Sequence, residues 1–382
     1  MTAALVFAAA ALTIFYILAG YPLLLAVMAR WFPRPVRRGE DHREPVTIVI
    51  PVRNGGRWLA RKIDSVLAQD YPARLRDILI VSDGSTDDTD RIAASYATRG
   101  VRLLRVPAGG KAAALNLAVP HATGNLLLFT DARQVLEPDC LRRLVSAMAD
   151  PDVGVVSGDL RIARGDTEEN ASTGLYWRYE NWIRGNLARL DSMLGATGPV
   201  YLIRRALYAP IPPDCLLDDV YLPLSIHLRG YRLVLEPEAV AIDEPTDLRT
   251  EFHRKVRTQA GLLQLLATFP GLFSRRNRMR FHFVSLKLGR LLLPYLLAAL
   301  LVSAWALPSP WRWWAAGPQL VFWMLAALDP LLRSGSFFKR VSATPRAFAV
   351  LVSSSVFGLK VLFVPPRKLW VEARTPVPPP PT

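Results

Sequence analysis

Long apolar runs at both ends of the chain enclose a middle part in which short apolar runs alternate with charged, helix-period segments. Residues 1–29 contain no charged side chain, and this run exceeds the roughly 20 residues that span a bilayer as a helix. A cleaved signal peptide has a basic start and an apolar core of about 7–15 residues, and this run fits neither feature. The pattern therefore predicts an amino-terminal transmembrane helix over residues 1–30.

The middle part, residues 44–250, has the pattern of an α/β domain. Short β-branched and aliphatic runs predict strands at Val46–Ile50, Ile78–Val81, Leu126–Phe129 and Val153–Ser157. Amphipathic segments between them predict helices at Trp58–Gln69, Thr86–Tyr96 and Lys111–Ala118. This alternation favours a mostly parallel sheet with helices on both faces, whose ligands bind beyond the carboxyl ends of the strands.

The carboxyl-terminal third is again apolar. Residues 251–280 include a basic amphipathic stretch, Phe252–Phe273, which is typical of a helix in the membrane interface. Residues 281–365 should form membrane helices, with Phe281–Leu307 and Trp313–Leu328 as a helical hairpin. The run Ala347–Val364 is either a marginal span or a re-entrant or interfacial segment. The proline-rich tail, residues 366–382, is predicted to be disordered.

Charge refines this picture. The chain of 382 residues carries a formal net charge of +15 although 51% of its residues are hydrophobic. The basic residues crowd the edges of apolar segments, at Arg30–Arg38 and Arg275–Arg280, instead of forming one basic stripe with aromatic residues, so we expect no nucleic-acid partner. By the positive-inside rule the α/β domain should be cytoplasmic. The two cysteines have no spacing that indicates a zinc site or a disulfide framework.

Polar residues follow the first two predicted strands. The first strand leads into Pro51-Val52-Arg53-Asn54, and the second ends in Ser82-Asp83-Gly84. A carboxylate at the end of such a strand can accept hydrogen bonds from a uracil N–H or a ribose hydroxyl. Taken alone, Asp83-Gly84 is more typical of a turn followed by a helix cap.

Two later motifs carry further charged groups. Gly109-Gly110-Lys111 precedes a strand that ends in Thr130-Asp131-Ala132-Arg133. An aspartate at that point suits a hard divalent cation that bridges two phosphates, although a helix cap is equally consistent with it.

The third and fourth motifs are the pair Asp218-Asp219 and the basic segment 254–258. The acidic pair could complement a helix dipole or supply a general base. Arg254, Lys255 and Arg257 could meet a diphosphate or form a solvated basic face. Each motif alone leaves both interpretations open.

The order of these motifs resembles membrane-bound glycosyltransferase family 2, the cellulose-synthase-like and poly-N-acetylglucosamine-synthase-like enzymes, from about Pro45 to Gly261. The resemblance implies a Rossmann-like GT-A domain. It also implies a role for each matching residue. On the donor side, Pro51, Arg53 and Asp83 would bind the nucleoside, Gly110 and Lys111 would cover the diphosphate, and Asp131 would bind the metal. Gly198 and Asp218 would lie on the acceptor side, Asp219 would be the catalytic base, and Arg257 matches the arginine of the Gln-x-x-Arg-Trp signature.

Several positions depart from the family pattern. Ser82 and Gly55 stand where many members have acidic residues, and Arg133 replaces the second acidic residue of the metal motif, where it could add charge to the diphosphate site. Arg254 and Thr258 replace the glutamine and the tryptophan of the signature associated with processive synthesis. A single-sugar transferase and a polymerase both remain open.

We therefore expect an integral protein of a bacterial inner membrane with its catalytic domain in the cytoplasm. The resemblance implies inverting transfer from a UDP-sugar, assisted by Mg²⁺ or Mn²⁺, to a lipid-linked or polysaccharide acceptor, with membrane lipids as further partners. The rival interpretation is a membrane scaffold or secretion component built on a decayed transferase fold. A transporter would need more spans and charges at the bilayer centre than the apolar runs contain.

Overall fold

The computed structural model describes residues 2–163, 168–244, 248–333, 335–366 and residue 369. Within these residues the strands are β1 (Val46–Val52), β2 (Arg76–Asp83), β3 (Val101–Val106), β4 (Leu126–Phe129), β5 (Val135–Leu136), β6 (Val153–Ile162), β7 (Tyr201–Arg204) and β8 (Arg232–Asp243). The α-helices are α1 (Thr2–Phe15), α2 (Tyr21–Trp31), α3 (Gly56–Leu67), α4 (Thr89–Ser95), α5 (Lys111–Ala118), α6 (Cys140–Ala147), α7 (Glu168–Leu190), α8 (Asp218–His227), α9 (Leu248–Thr268), α10 (Arg280–Phe283), α11 (Gly289–Trp305), α12 (Trp311–Leu328) and α13 (Phe337–Gly358).

The strands form one mixed sheet in the order β3-β2-β1-β4-β7-β6-β8-β5. In one half of the sheet the pairs β3–β2, β2–β1 and β1–β4 are parallel. In the other half the pair β6–β8 is parallel. Apolar clusters cover both faces, one including Leu59 of α3 and Leu144 of α6, the other including Leu115 of α5. The predicted α/β fold class is confirmed.

Strand β7 is antiparallel to both of its neighbours, β4 and β6. Its first residue, Tyr201, pairs with Phe129, the last residue of β4. The loop that enters β7 therefore lies beside the loop that leaves β4, so that Gly198 and Asp131 approach the same edge of the sheet.

The predicted strands and helices of the domain are confirmed, with bounds that differ by a few residues. Helix α5 and strand β4 have the predicted bounds, while β6 continues to Ile162, five residues beyond the prediction. The prediction missed β3, β5, β7 and β8. The edge strand β3 exposes arginine side chains, and polar residues interrupt β8, so neither has the continuous apolar pattern of a buried strand.

Among the described residues, three helical segments are long and apolar enough to cross a membrane: Thr2–Trp31, Arg280–Trp305 and Phe337–Leu362. The first joins α1 and α2 through a π-helical turn. The third starts about ten residues before the predicted run, which gives it the length of a span. Helix α12 packs against α11, as predicted for a hairpin. It is not among the segments that are long and apolar enough to cross a membrane.

The apolar helices pack directly on the α/β domain. Tyr21 and Leu25 of α2 lie in one cluster with Ile183 of α7 and Leu265 of α9. The basic linker after α2 is also fixed, because Arg34 forms ion pairs with Asp152 at 2.8 Å and Asp191 at 3.2 Å. The apolar helices and the helices of the domain therefore share one apolar cluster, separate from the two clusters on the sheet. The predicted disordered tail lies outside the described residues, apart from residues 366 and 369.

Candidate active site

The buried Asp83 ends β2 at the carboxyl edge of the sheet. Its carboxylate accepts hydrogen bonds from the backbone N–H groups of Gly109, at 2.7 Å, and Gly110, at 3.0 Å. Gly110 has a φ of +86°, a conformation that favours glycine. Asp83 therefore fixes the glycine loop that leads into α5, and its role in binding a nucleoside stays a prediction.

The turn after β1 lies next to Asp83. Pro51 is half-buried at the end of β1 and Arg53 is exposed. The following residue, Asn54, accepts a hydrogen bond from the backbone N–H of Thr86 at 2.8 Å, which joins this turn to the turn after β2. A Cβ atom on Gly55 would lie 2.5 Å from Cγ2 of Val52. Packing therefore favours glycine at this position.

Lys111 connects two of the predicted functional carboxylates. Its Nζ lies 2.9 Å from Oδ1 of Asp131 and 3.1 Å from Oδ2 of Asp218. Burial lowers the pKa of Lys111, but the charges of Asp131, Asp218 and Asp219 outweigh it and raise the pKa above its ordinary value. The glycine loop, the end of β4 and the start of α8 thus meet at one ammonium group.

Asp219 lies against the loop that enters β7. A Cβ atom on Gly198 would approach Oδ2 of Asp219 to 2.7 Å, so only glycine leaves room for this carboxylate. Burial and the neighbouring charge of Asp218 raise the pKa of Asp219 to about 6, while Lys111 and Arg257 oppose the shift. Such a carboxylate is suited to accept a proton near neutral pH.

Helix α9 brings Arg257 towards the same cleft. Gln264 of α9 accepts a hydrogen bond from the backbone N–H of Leu216 at 3.0 Å, and Gly261 packs against Leu217. These contacts join α9 to the segment that immediately precedes the acidic pair. The basic helix therefore packs against the segment that carries the acidic pair and, on another side, against the apolar helix α13.

Arg133 has a partner of its own. It forms an ion pair with Asp243 at the end of β8, and Gln134 donates to the same carboxylate at 2.9 Å. The side chain of Asp243 is almost fully buried, so this pair holds the loop after β4 against β8. A contact of Arg133 with a diphosphate stays a prediction.

Lys62 of α3, which no sequence pattern indicates, is fully buried. Its Nζ donates to Oγ1 of Thr130 at 2.6 Å and to the carbonyl of Gln134 at 2.8 Å, while Thr130 donates to the carbonyl of Pro199 at 2.7 Å. Lys62 therefore joins the loop that carries Asp131 to the loop that carries Gly198. Lys62 lies between Arg61 and Ile63 in an amphipathic helix, and this sequence context does not indicate that the lysine is buried or that it joins two loops.

Lys62 should make stability depend on pH. Burial lowers the pKa of Lys62 to about 7, whereas a lysine in an unfolded chain has a pKa of about 10.4. Between these values the unfolded chain binds more protons, so the stability of the folded state should rise with pH. We expect the thermal unfolding midpoint to gain more between pH 7 and pH 9 in the wild-type protein than in Lys62→Met. The exposed Lys360→Met is the matched control and should follow the wild type, whereas an unchanged pH dependence in Lys62→Met would contradict the prediction.

The acidic side chains can be compared with the ligand set that a divalent cation requires. Among the residues that the structure describes, no group of three or more His, Cys, Asp or Glu side chains could hold a metal ion. Mg²⁺ is, however, commonly bound by one or two carboxylates together with the phosphates of a substrate. The half-buried Asp131 at the carboxyl edge therefore fits a cation that the donor helps to coordinate.

Comparisons with known proteins relate part of the chain to glycosyltransferases. Residues 47–211 match the model of glycosyl transferase family 2. An N-acetylglucosaminyltransferase of Rhizobium sp. (strain N33) is 28% identical over 61% of this chain and 57% of the relative. The poly-beta-1,6-N-acetyl-D-glucosamine synthase of Staphylococcus aureus (strain COL) is 25% identical over 63% of this chain and 60% of the relative. The matched regions thus span less than two thirds of these relatives.

The fold has a close counterpart among solved structures. A mannosyltransferase from Pyrobaculum calidifontis, in complex with GDP-Man and Mn²⁺, superposes with a TM-score of 0.72 at 24% identity, over 94% of this chain and 99% of that chain. The superposition shows a GT-A fold, and the matched residues 47–211 lie within the α/β domain. The match to glycosyl transferase family 2 covers residues 47–211, which is less than half of the chain.

Proposed function

We propose that the chain transfers a hexose with inversion from a UDP-sugar to an acceptor hydroxyl at the cytoplasmic face of a bacterial inner membrane. The observation that carries this proposal is the arrangement at the carboxyl edge, where Lys111 joins Asp131 to Asp218 while Gly198 leaves room for Asp219. A donor-side carboxylate and an acceptor-side base then face one cleft. The acceptor is a lipid-linked sugar or a polysaccharide.

On the donor side, Pro51, Arg53 and Asp83 would bind the nucleoside and the Gly110–Lys111 loop would lie over the diphosphate, with Arg133 and Arg257 adding positive charge. Asp131 would hold Mg²⁺ or Mn²⁺, which when bound supplies Lewis-acid stabilisation of the departing diphosphate. The names of the N-acetylglucosaminyltransferase relatives support an amino sugar as the transferred group.

On the acceptor side, Asp219 would accept the proton of the attacking hydroxyl. Its raised pKa supports this role, because a base with a pKa near the working pH transfers protons efficiently. Thr258 stands in place of the signature tryptophan, and its hydroxyl donates to the carbonyl of Arg254 in the same helix at 2.9 Å. The missing aromatic ring, on which a growing sugar chain could stack, supports transfer of a single sugar.

A panel of nucleotide sugars tests the proposal. The detergent-solubilised protein would be incubated with UDP-GlcNAc, UDP-glucose and GDP-mannose, with and without Mn²⁺, and the released nucleoside diphosphate would be measured. We expect metal-dependent release from a UDP-sugar, and none from the Asp219→Asn variant. A wild-type protein that released no more diphosphate than this variant from any donor would instead support the scaffold.

Gly198→Ala should slow transfer without weakening donor binding. The added Cβ would displace the carboxylate of Asp219, and a misplacement of about 1 Å can reduce a rate on the order of 10²-fold. Gly185→Ala is the matched control, because a Cβ there meets nothing within 4 Å. Turnover and the donor KM would be measured for both. A rate in Gly198→Ala equal to that of Gly185→Ala would remove Gly198 from the acceptor side.

A further inference from the structure

Tyr201 is a fully buried tyrosine at the carboxyl edge of the sheet. As the first residue of β7 it pairs with Phe129, the last residue of β4, and the centroids of the two rings are 5.2 Å apart. Its hydroxyl group forms no hydrogen bond with any residue that the structure describes. A buried hydroxyl without a partner is unfavourable, because it has given up its hydrogen bonds to water. Packing alone therefore does not account for a tyrosine at this position.

The hydroxyl group of Tyr201 lies near the acidic pair. Burial raises the pKa of Tyr201 well above its ordinary value, and among the charged groups Asp218 adds most to this shift. The phenol therefore keeps a proton that it can donate. Oδ2 of Asp218 also accepts no hydrogen bond within the described part of the chain, although Nζ of Lys111 lies 3.1 Å from it. A buried donor and a buried acceptor, each with unused hydrogen-bonding capacity, thus lie near one another in the cleft.

The cation that now neutralises Asp218 is one that the donor would attract. The proposed function places Lys111 over the diphosphate of the nucleotide sugar, whose negative charge would draw the ammonium group towards it. A metal ion at Asp131 would also repel the ammonium group, which lies 2.9 Å from this carboxylate. Both effects would move Lys111 away from Asp218. A buried carboxylate that loses its cation is strongly destabilised unless another group compensates for it.

We propose that Tyr201 is a positioning residue whose hydroxyl group donates a hydrogen bond to Asp218 when Lys111 turns to the donor diphosphate. This inference rests on the proposed function and extends its account of the donor-bound site. The new hydrogen bond stabilises the buried Asp218 and so holds the start of α8, which carries Asp219, in place while the donor is bound. In the free protein the hydroxyl group has no partner and contributes nothing to stability. In the donor-bound protein it contacts a charged group.

Tyr201→Phe tests this role, because it removes the hydroxyl group and leaves the ring that packs against Phe129. The free variant should unfold at the wild-type temperature or slightly above it, since it loses only a buried group without a partner. Its affinity for UDP in the presence of Mn²⁺ should be roughly tenfold to a hundredfold weaker, as expected for a lost hydrogen bond to a charged group. Thermal unfolding of the free protein and calorimetric titration of UDP measure the two effects, and neither depends on turnover.

Tyr208→Phe is the matched control. The charge of Asp218 also acts on Tyr208, but the hydroxyl group of Tyr208 already donates to Oδ1 of Asn116 at 2.6 Å. Tyr208→Phe should therefore unfold at a lower temperature in its free form and keep the wild-type affinity for UDP. Asp218→Asn provides a second comparison. In that background Tyr201→Phe should reduce UDP affinity much less than it does in the wild type, because the two side chains act through one contact.

Three outcomes would overturn the inference alone. The first is a Tyr201→Phe protein that binds UDP as tightly as the wild type. The second is an equally large loss of UDP affinity in the wild-type and Asp218→Asn backgrounds, which would show that the hydroxyl group does not act through Asp218. The third is a free Tyr201→Phe protein that is markedly less stable than the wild type or does not fold, because its hydroxyl group would then have a partner without the donor. A wild-type protein that binds neither UDP nor a UDP-sugar in the presence of Mn²⁺ would instead reject the proposed donor, and this inference with it.

Discussion

Asp219→Asn should slow sugar transfer by roughly 10²–10⁴-fold, the contribution expected of a general base. Affinity for UDP and for the metal should stay close to that of the wild type, because the proposed function assigns Asp219 to the acceptor side and Asp131 to the donor side. Burial and Asp218 raise the pKa of Asp219 to about 6, and the base must be ionised to act. The wild-type rate should therefore fall as the pH drops below about 6.

The neighbouring acid provides the comparison for this prediction. Asp218 is buried and its carboxylate contacts Lys111, so Asp218→Asn should disturb the charge balance of the cleft but reduce transfer less than Asp219→Asn. Turnover, UDP affinity and metal affinity would be measured for both variants. Normal transfer by Asp219→Asn, or a complete loss of UDP binding, would show that Asp219 is not the base.

Asp131→Asn should have the second large effect, which concerns the metal-dependent binding of the donor. If Asp131 holds the cation, its loss should weaken donor binding in the presence of Mn²⁺ and leave the weaker, metal-free binding of UDP almost unchanged. Calorimetric titration of UDP with and without Mn²⁺ measures the metal-dependent and the metal-free affinity separately. Asp139→Asn is a control, because Asp139 pairs with Arg143 at the start of α6. Equal Mn²⁺ dependence in the two variants would place the cation elsewhere.

The sequence was sufficient to predict the elements whose pattern is local. β4 and α5 were predicted with their observed bounds because one is a continuous apolar run and the other follows a glycine pair. The antiparallel β7 was missed because four residues carry little periodicity, and its direction depends on pairing with β4 and β6. That direction brings Gly198 to Asp219, so this contact could be obtained only from the three-dimensional structure.

The resemblance to a family supplied roles, but contacts in the folded chain decide what the departing residues do. Gly55 is explained by its packing against Val52, which is close in sequence. Arg133 is explained by its ion pair with Asp243, which lies 110 residues further along the chain. Lys62 was missed for a related reason: a lysine on an amphipathic helix is usually exposed, and only the depth of α3 against the sheet buries it.

The position of Lys111 between Asp131 and Asp218 bears on the order in which the reactants can enter. Without a donor, the ammonium group already neutralises part of the charge that would attract a metal ion, and a free divalent cation would be repelled by it. A diphosphate reverses this balance, because it attracts Lys111 and the metal alike. We therefore expect the cation to enter together with the nucleotide sugar as one nearly neutral complex, so that the cellular supply of the donor, more than that of the metal, determines how often the site is loaded.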